Sequence, residues 1–219
     1  KSNAHIAIFT LEMSKVQLME RLLSSEGHVD STQMRKGDLS EEAQDRLMRA
    51  ARNINKNGER LSIDETPGLT LAELRSRCRR QKKEKGLDLI IIDYLQLMNG
   101  SETAKKQGRE REIGEISMGL KALAKELDVP VIAAAQLNRG PDARPDKKPR
   151  MSDLRESGSM EQDADQIIFI YRDDYYNPNS ESAGKAEIII SKNRHGETAS
   201  VFLAWLPNFV SFHNLMPDS

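Results

Sequence analysis

The sequence predicts an α/β fold: a mostly parallel, twisted sheet flanked by helices and closed by a C-terminal β-hairpin. Three observations predict it. Short runs rich in Ile, Val and Ala at 5–11, 87–92 and 129–135 alternate with longer stretches of helical periodicity, the element order that builds a parallel sheet with helical crossovers. The run Leu89-Ile90-Ile91-Ile92 is solidly apolar rather than alternating, as expected of a strand covered on both faces. Each of the three runs also closes on a polar residue, Glu12, Asp93 or Gln136. The carboxyl edge of an open parallel sheet is where ligands bind.

Taken in order, His5 to Leu11 reads as a short strand ending at Glu12, and Met13-Ser14 opens a helix with Val16, Leu18, Met19, Leu22 and Leu23 on one face. Ser40-Glu41-Glu42 is a helix start, Ala43, Leu47, Ala50, Ala51 and Ile54 repeat at helical spacing, and Asn57-Gly58 is the stop. Leu61 to Asp64 is a short strand, Pro67-Gly68 a turn, and Thr70 to Lys85 a basic helix ending at Gly86. The run from Arg75 to Lys85 fits either a solvated outer face or a nucleic-acid surface. After Asp93, the polar segment Asn99 to Arg109 reads as a mobile loop before a long helix from about Glu110 to Leu127. Val129 to Ala135 is a buried strand, Gly140 to Lys148 a Pro-bearing loop, and Glu161 to Asp165 a short acidic turn. Ile167 to Tyr171 and Ala186 to Ser191 are further strands, and Val201 to Leu206 with Phe209 to Asn214 makes the closing hairpin.

Composition excludes several classes. The 219 residues suit one α/β domain, and no apolar run is long enough to span a bilayer. The single cysteine, Cys78, cannot form an internal disulfide, which fits a reducing cytoplasm. The four histidines show no pair at metal-ligand spacing, so a zinc site is not expected. A net charge of -1 gives no global basic footprint, so any nucleic-acid binding must come from local loops or from an assembly that concentrates them.

If the three apolar strands are neighbours, two carboxylates and an amide share one rim. Phosphoanhydride hydrolysis needs such a set: Asp93 to order magnesium through water, Glu12 to accept the proton of the attacking water, Gln136 to sense the γ-phosphate. The alternative for Asp93 is a core strand whose carboxylate caps the next turn. Lys192 and Arg194 are two apart at the end of a strand and so project to one side. They fit either a cationic pair reaching a neighbouring subunit's nucleotide or an ordinary solvated edge.

Several motifs follow one another in order. They are Phe9-Thr10-Leu11-Glu12-Met13-Ser14, Ile90-Ile91-Ile92-Asp93-Tyr94-Leu95-Gln96-Leu97-Met98, Gln136-Leu137-Asn138-Arg139, the segment Ser152 to Asp165, and Lys192-Asn193-Arg194-His195-Gly196. Together they closely resemble the C-terminal RecA-like motor domain of the DnaB-type replicative helicases, over nearly the whole chain. The resemblance implies a partial RecA-like P-loop NTPase core across 1–219, ATP and Mg2+ as ligands, and 5'-to-3' translocation on single-stranded DNA by a homohexamer that meets primase and a helicase loader. It implies a bacterial cytoplasm, or a phage protein in a bacterial host, and no membrane. By the resemblance Glu12 is the catalytic glutamate, Asp93 the Walker B aspartate, Gln136 the γ-phosphate-linked glutamine with Arg139 close by at the nucleotide, and Lys192 and Arg194 the trans-acting pair. Arg155, Glu156 and Gly158 match a channel loop that follows the DNA backbone, and Asn99 to Arg109, with Lys105 and Arg109, resembles the other.

Chemistry is compatible with that loop. Arg155 can pair phosphate and Gly158 lets backbone N–H groups approach it, while the absence of aromatic residues from both loops points to backbone tracking rather than base stacking. A local Arg155–Glu156 ion pair is the alternative. No G-x-x-x-x-G-K-[ST] occurs; Gly184-Lys185 is followed by Ala186. The resemblance places that phosphate loop, a linker and a helical domain upstream of Lys1, so the chain alone is expected to bind Mg-ATP poorly and to form hexamers weakly. Glu197 and Ala199 stand where relatives often have proline and glycine. Two other readings remain: another RecA-like ring ATPase, and an idle RecA-like module serving assembly or loader binding.

Overall fold

The computed structural model describes residues 3–215, with the backbone alone described at 155–158. The chain runs β1 (Ile6–Thr10), α1 (Lys15–Gly27), α2 (Ser31–Lys36), α3 (Glu41–Lys56), β2 (Leu61–Asp64), α4 (Leu71–Glu84), β3 (Leu89–Asp93), α5 (Glu102–Gln107), α6 (Arg109–Leu127) and β4 (Val131–Ala133). It continues through α7 (Gly140–Ala143), α8 (Gly158–Asp163), β5 (Gln166–Tyr171), α9 (Asp173–Tyr176), β6 (Lys185–Asn193), β7 (Ala199–Leu206) and β8 (Ser211–Asn214). The chain divides into two compact units. One comprises Lys1–Glu20, Ala51–Gln136 and Glu156–Asp163; the other comprises Arg21–Ala50, Leu137–Arg155 and Ala164–Ser219.

The first unit holds a parallel four-stranded sheet in the order β2-β1-β3-β4. Its buried face carries Ala7, Phe9, Ile90 and Ile92, in a core with Leu69, Leu74, Cys78, Ile113, Ile116 and Leu123. The other face, with Ile6, Ile8, Leu89 and Ile91, is only half-buried. The solid apolar run of β3 implies cover on both faces; within this unit the strand instead alternates buried and half-buried positions. α4 starts where the sequence asks it to. Thr70 Oγ1 accepts the Glu73 N–H at 3.3 Å while the Glu73 carboxylate accepts the Thr70 N–H at 2.9 Å, a capping box that adds about 1 kcal/mol of helix stability. Leu74 and Cys78, one turn apart, face the core.

The basic run on α4 is largely spent within the unit. Arg75 and Arg79 pair with Glu126, Arg77 with Asp64, and Lys82 donates to the Leu127 carbonyl. These contacts favour the outer-face reading over a nucleic-acid surface. Burial, with the Asp64 carboxylate nearby, pushes the Cys78 thiol up to about 12, so it is a neutral core thiol.

The segment Asn99 to Arg109 departs from the mobile loop the sequence predicts. Ser101 caps α5 by accepting the Ala104 N–H at 3.1 Å, Ala104 is buried, and the Asn99 side chain donates to the Gly68 carbonyl at 2.7 Å. Polar residues here serve as caps and tethers, which composition alone does not distinguish from loop. The sequence reading also lacks α2, although Asp30 at its start and Gly37 in the left-handed conformation at its end are ordinary helix punctuation.

In the second unit β5-β6-β7-β8 form an antiparallel sheet. The expected hairpin is β7 and β8, with Trp205 packed on Phe212 at 4.6 Å between ring centroids. β5 and β6 extend it to a separate four-stranded sheet, a grouping that strand-length apolar runs leave open because antiparallel partners are set by register.

Candidate functional site

The rim of the parallel sheet is built by adjacent strands. β3 lies between β1 and β4. Thr10 is the register partner of Asp93, and the Leu11 N–H donates to the Asp93 carbonyl at 2.7 Å, so Glu12 follows directly beyond the Asp93 position. Thr10 itself is buried and its Oγ1 donates to the Met13 carbonyl at 2.8 Å, folding the chain into the bend that carries Glu12. On the other side Ile92 pairs with Ala133, and the Ala134 N–H donates to the Ile92 carbonyl at 2.9 Å. Gln136 follows two residues later. Glu12 and Gln136 are exposed and Asp93 half-buried, so this edge of the sheet offers two carboxylates and an amide to solvent.

Gln136 is held by a residue that the sequence reading passes over. Gln96 Nε2 donates to the Gln136 carbonyl at 2.9 Å, and the Gln136 N–H donates to Gln96 Oε1 at 3.1 Å. Arg109 donates to the Gln96 carbonyl and pairs with Glu112, and Glu112 Oε1 accepts the Gly100 N–H at 2.9 Å. Burial pushes the Glu112 carboxyl up, but the Gly100 N–H and the Arg109 guanidinium outweigh it and hold the group below the ordinary glutamate value. Arg109, expected at DNA, is thus engaged inside its own unit. Lys105 pairs with Glu102 on α5 at 3.0 Å.

In the second unit Lys192 lies on β6 opposite Ile167 of β5. Arg194 falls one residue past the end of β6, where its N–H donates to the Asp165 carbonyl at 2.8 Å and its Nη1 reaches Asp165 Oδ1 at 3.1 Å. Both partners of that ion pair are roughly half-exposed, so it is worth about 0–1 kcal/mol. Arg139 is exposed and sits at the N-cap of α7. Between Gln136 and Arg155 the chain is clasped: the buried Asp153 carboxylate accepts Arg144 Nη1 at 2.8 Å, Arg144 Nη2 at 2.6 Å and the Arg150 N–H at 2.7 Å. The Asp153 carbonyl accepts the Asn138 N–H at 3.0 Å. Arg144 above all holds the Asp153 carboxyl below its ordinary value. Gly140 permits the closeness, since a Cβ there would lie 2.6 Å from Asp153 Oδ1.

Among the described residues no group of three or more His, Cys, Asp or Glu could hold a metal ion. Two oxygen donors at one rim suit magnesium, which keeps its waters and takes phosphate oxygens rather than a protein cage.

Comparison with known proteins names the family. The family model described as "DnaB-like helicase C terminal domain" matches residues 1–214. The chain belongs to this family. It is 48% identical over 215 residues to the replicative DNA helicase DnaB of Geobacillus stearothermophilus, covering 98% of the chain and 47% of that protein. Against the replicative DNA helicase DnaC of Bacillus subtilis the figures are 47%, 98% and 47%. The chain thus spans about half the length of the curated relatives it matches. Among solved structures, one described as an ATPase domain superposes with a TM-score of 0.91 at 37% identity, covering 98% of the chain and 75% of that one. A DnaB-like replicative helicase, solved in a study of its interactions with primase, gives the same TM-score and identity, with 98% and 51% covered.

In this DnaB-like domain Arg155, Glu156 and Gly158, which the sequence resemblance expects at a DNA-channel loop, lie where side chains fall outside the described residues; their backbone forms the end of a 3-10 segment, Met151–Ser157, and the start of α8. Gln96 escapes a sequence reading because its signal, an amide three residues past a strand-end aspartate, gains meaning only when Gln136, 40 residues on, is seen beside it. Asp153 lies inside the motif segment Ser152 to Asp165, but its role as the acceptor of Arg144 and of the Arg150 N–H shows only once the chain has folded back on it.

Proposed function

We propose that this chain is part of the motor of a hexameric replicative DNA helicase, coupling ATP hydrolysis to 5'-to-3' movement on single-stranded DNA. The observation that carries the reading is the adjacency of β1, β3 and β4, which gathers Glu12, Asp93 and Gln136 at one sheet edge. In this reading the Glu12 carboxylate accepts the proton of the attacking water, and Gln136 donates to the γ-phosphate. Asp93 would hold Mg2+ through water, and the ion would neutralise charge on the bound phosphates. Lys192 and Arg194 reach the nucleotide of a neighbouring subunit, with Arg194 exchanging Asp165 for phosphate oxygens, and Arg139 contacts the nucleotide. Arg155, Glu156 and Gly158 with Lys105 and Arg109 line the DNA path, where six copies multiply a weak contact.

The two units act as one RecA-like motor domain within a longer bacterial or phage protein that works in the cytoplasm. No helix of the described residues is long and apolar enough to cross a membrane. Primase is the favoured partner, since a structural relative was solved in the study of such an interaction, and a helicase loader is the second. The 219-residue chain, which holds no G-x-x-x-x-G-K-[ST], binds Mg-ATP weakly on this reading. The test is ATP hydrolysis by the full-length protein with and without single-stranded DNA. Stimulation by DNA supports the motor; no hydrolysis in a confirmed hexamer sinks it and favours an idle assembly module.

A further inference from the structure

The ladder between β3 and β4 is extended by a side chain. Its last backbone steps are Ala134 N–H to the Ile92 carbonyl and Leu95 N–H to the Ala134 carbonyl, both 2.9 Å. Beyond them the backbone of Gln136 would have no strand partner, and the Gln96 amide takes that place, receiving its N–H and donating to its carbonyl. A carboxamide presents a donor and an acceptor side by side and stays neutral at every physiological pH. With both of its main-chain groups fixed, the Gln136 side chain leaves the rim from a set backbone direction.

The other end of Gln96 is tied to a different segment. Its carbonyl accepts from Arg109, and Arg109 pairs with Glu112, whose side chain is 8% exposed. Glu112 in turn holds the Gly100 N–H, and Glu115 accepts from the Ser101 hydroxyl at 2.7 Å and from its N–H at 3.2 Å. The contact at Gly100 admits no side chain: a Cβ would lie 2.6 Å from Glu112 Cγ. A continuous polar chain therefore runs from Gln136 through Gln96, Arg109 and Glu112 to the root of the 99–109 segment.

We propose that Gln96 is a positioning residue for Gln136, and that Arg109 links this clamp to the 99–109 segment, so that a phosphate competing for Arg109 at that segment alters the aim of Gln136. This rests on the motor reading for the role of Gln136 and adds a route between its nucleotide and DNA sides. Arg109 is the exchangeable element. Its side chain is 41% exposed, its guanidinium already bridges a carboxylate and a carbonyl, and an incoming phosphate would draw it from both. Glu112, nearly buried, is the fixed anchor.

Two measurements test the proposal. In this chain, amide exchange at Gln136 followed by NMR should quicken about tenfold in Gln96→Leu, the equivalent of one lost hydrogen bond. Unchanged exchange would show that the clamp does not exist in solution. In the full-length protein, Gln96→Leu should cut the stimulation of kcat by single-stranded DNA about tenfold while moving KM for ATP less than about twofold, because an aiming defect acts at the transition state. Arg109→Met should lower the stimulation in the same way, and Arg109→Lys, which keeps a cationic donor, should restore part of it. A stimulation ratio equal to wild type in Gln96→Leu, or Arg109→Lys no better than Arg109→Met, overturns the proposed link. A wild-type protein without DNA-stimulated hydrolysis would instead refute the motor reading, and the exchange measurement would still decide the clamp.

Discussion

Replacing Asp153 by Asn keeps the shape of the side chain and removes its charge. The carboxylate takes three short hydrogen bonds, two from the Arg144 fork and one from the Arg150 N–H, and Asp153 is only 3% exposed. An amide can accept at one atom; its NH2 group then faces a donor, either Arg144 or the Arg150 N–H. Charge-assisted bonds are worth about 1.5–3 kcal/mol each, and breaking one side of a buried pair costs about 3–5 kcal/mol. Arg144 keeps some access to water and a second carboxylate, Asp146, at 3.7 Å, which moderates the loss. Asp153→Asn should therefore cost about 3 kcal/mol, a fall of roughly 6–12 °C in the thermal midpoint for a chain of this length. Urea unfolding of the 219-residue chain followed by circular dichroism reads it directly. Arg144→Met should cost a similar amount, and the double variant should fall well short of the sum, with a coupling of about 2 kcal/mol. A loss under about 1 kcal/mol, or simple additivity, would refute the clasp as an energetic unit.

Arg194→Ala should lower the unfolding free energy by no more than about 1 kcal/mol, because its pair with Asp165 is roughly half-exposed. In the full-length protein it should abolish turnover while nucleotide binding persists; retained turnover would mark a structural arginine. Glu112 and Asp153 both titrate below their ordinary values of 4.5 and 3.8, so each stabilises the fold fully above those values. That contribution is lost as pH falls through the lower folded-state values, and urea midpoints should drop steeply below about pH 4 and less so in Asp153→Asn. Gly68→Ala should cost about 1–3 kcal/mol, since Gly68 has φ +61° and a Cβ there would meet Asn99 Nδ2 at 2.7 Å. Faster amide exchange at Asn99, whose N–H donates to the Leu69 carbonyl at 3.0 Å, would report the loosened tether.

The sequence by itself determined the fold class and the identity of the rim. Apolar runs that stop on Glu12, Asp93 and Gln136 are local signals, because strand length and the polar residue that ends a strand are properties of neighbouring positions. The closing hairpin was legible for the same reason, through Pro207-Asn208 between two short apolar runs. What only the tertiary structure decided is which strands touch and which polar side chains serve each other. Strand order β2-β1-β3-β4 and the separate antiparallel sheet depend on pairings between segments tens of residues apart, which periodicity does not encode. The polar stretch at 99–109 folded into a capped, tethered helix because Glu112, Glu115 and Gly68 come to it from elsewhere in the chain. Gln96, Arg109 and Asp153 gained their roles in the same way. A hydrogen bond over 40 residues of separation leaves no trace in local composition, so the parts of the site were readable one residue at a time, and the connections between them only in three dimensions.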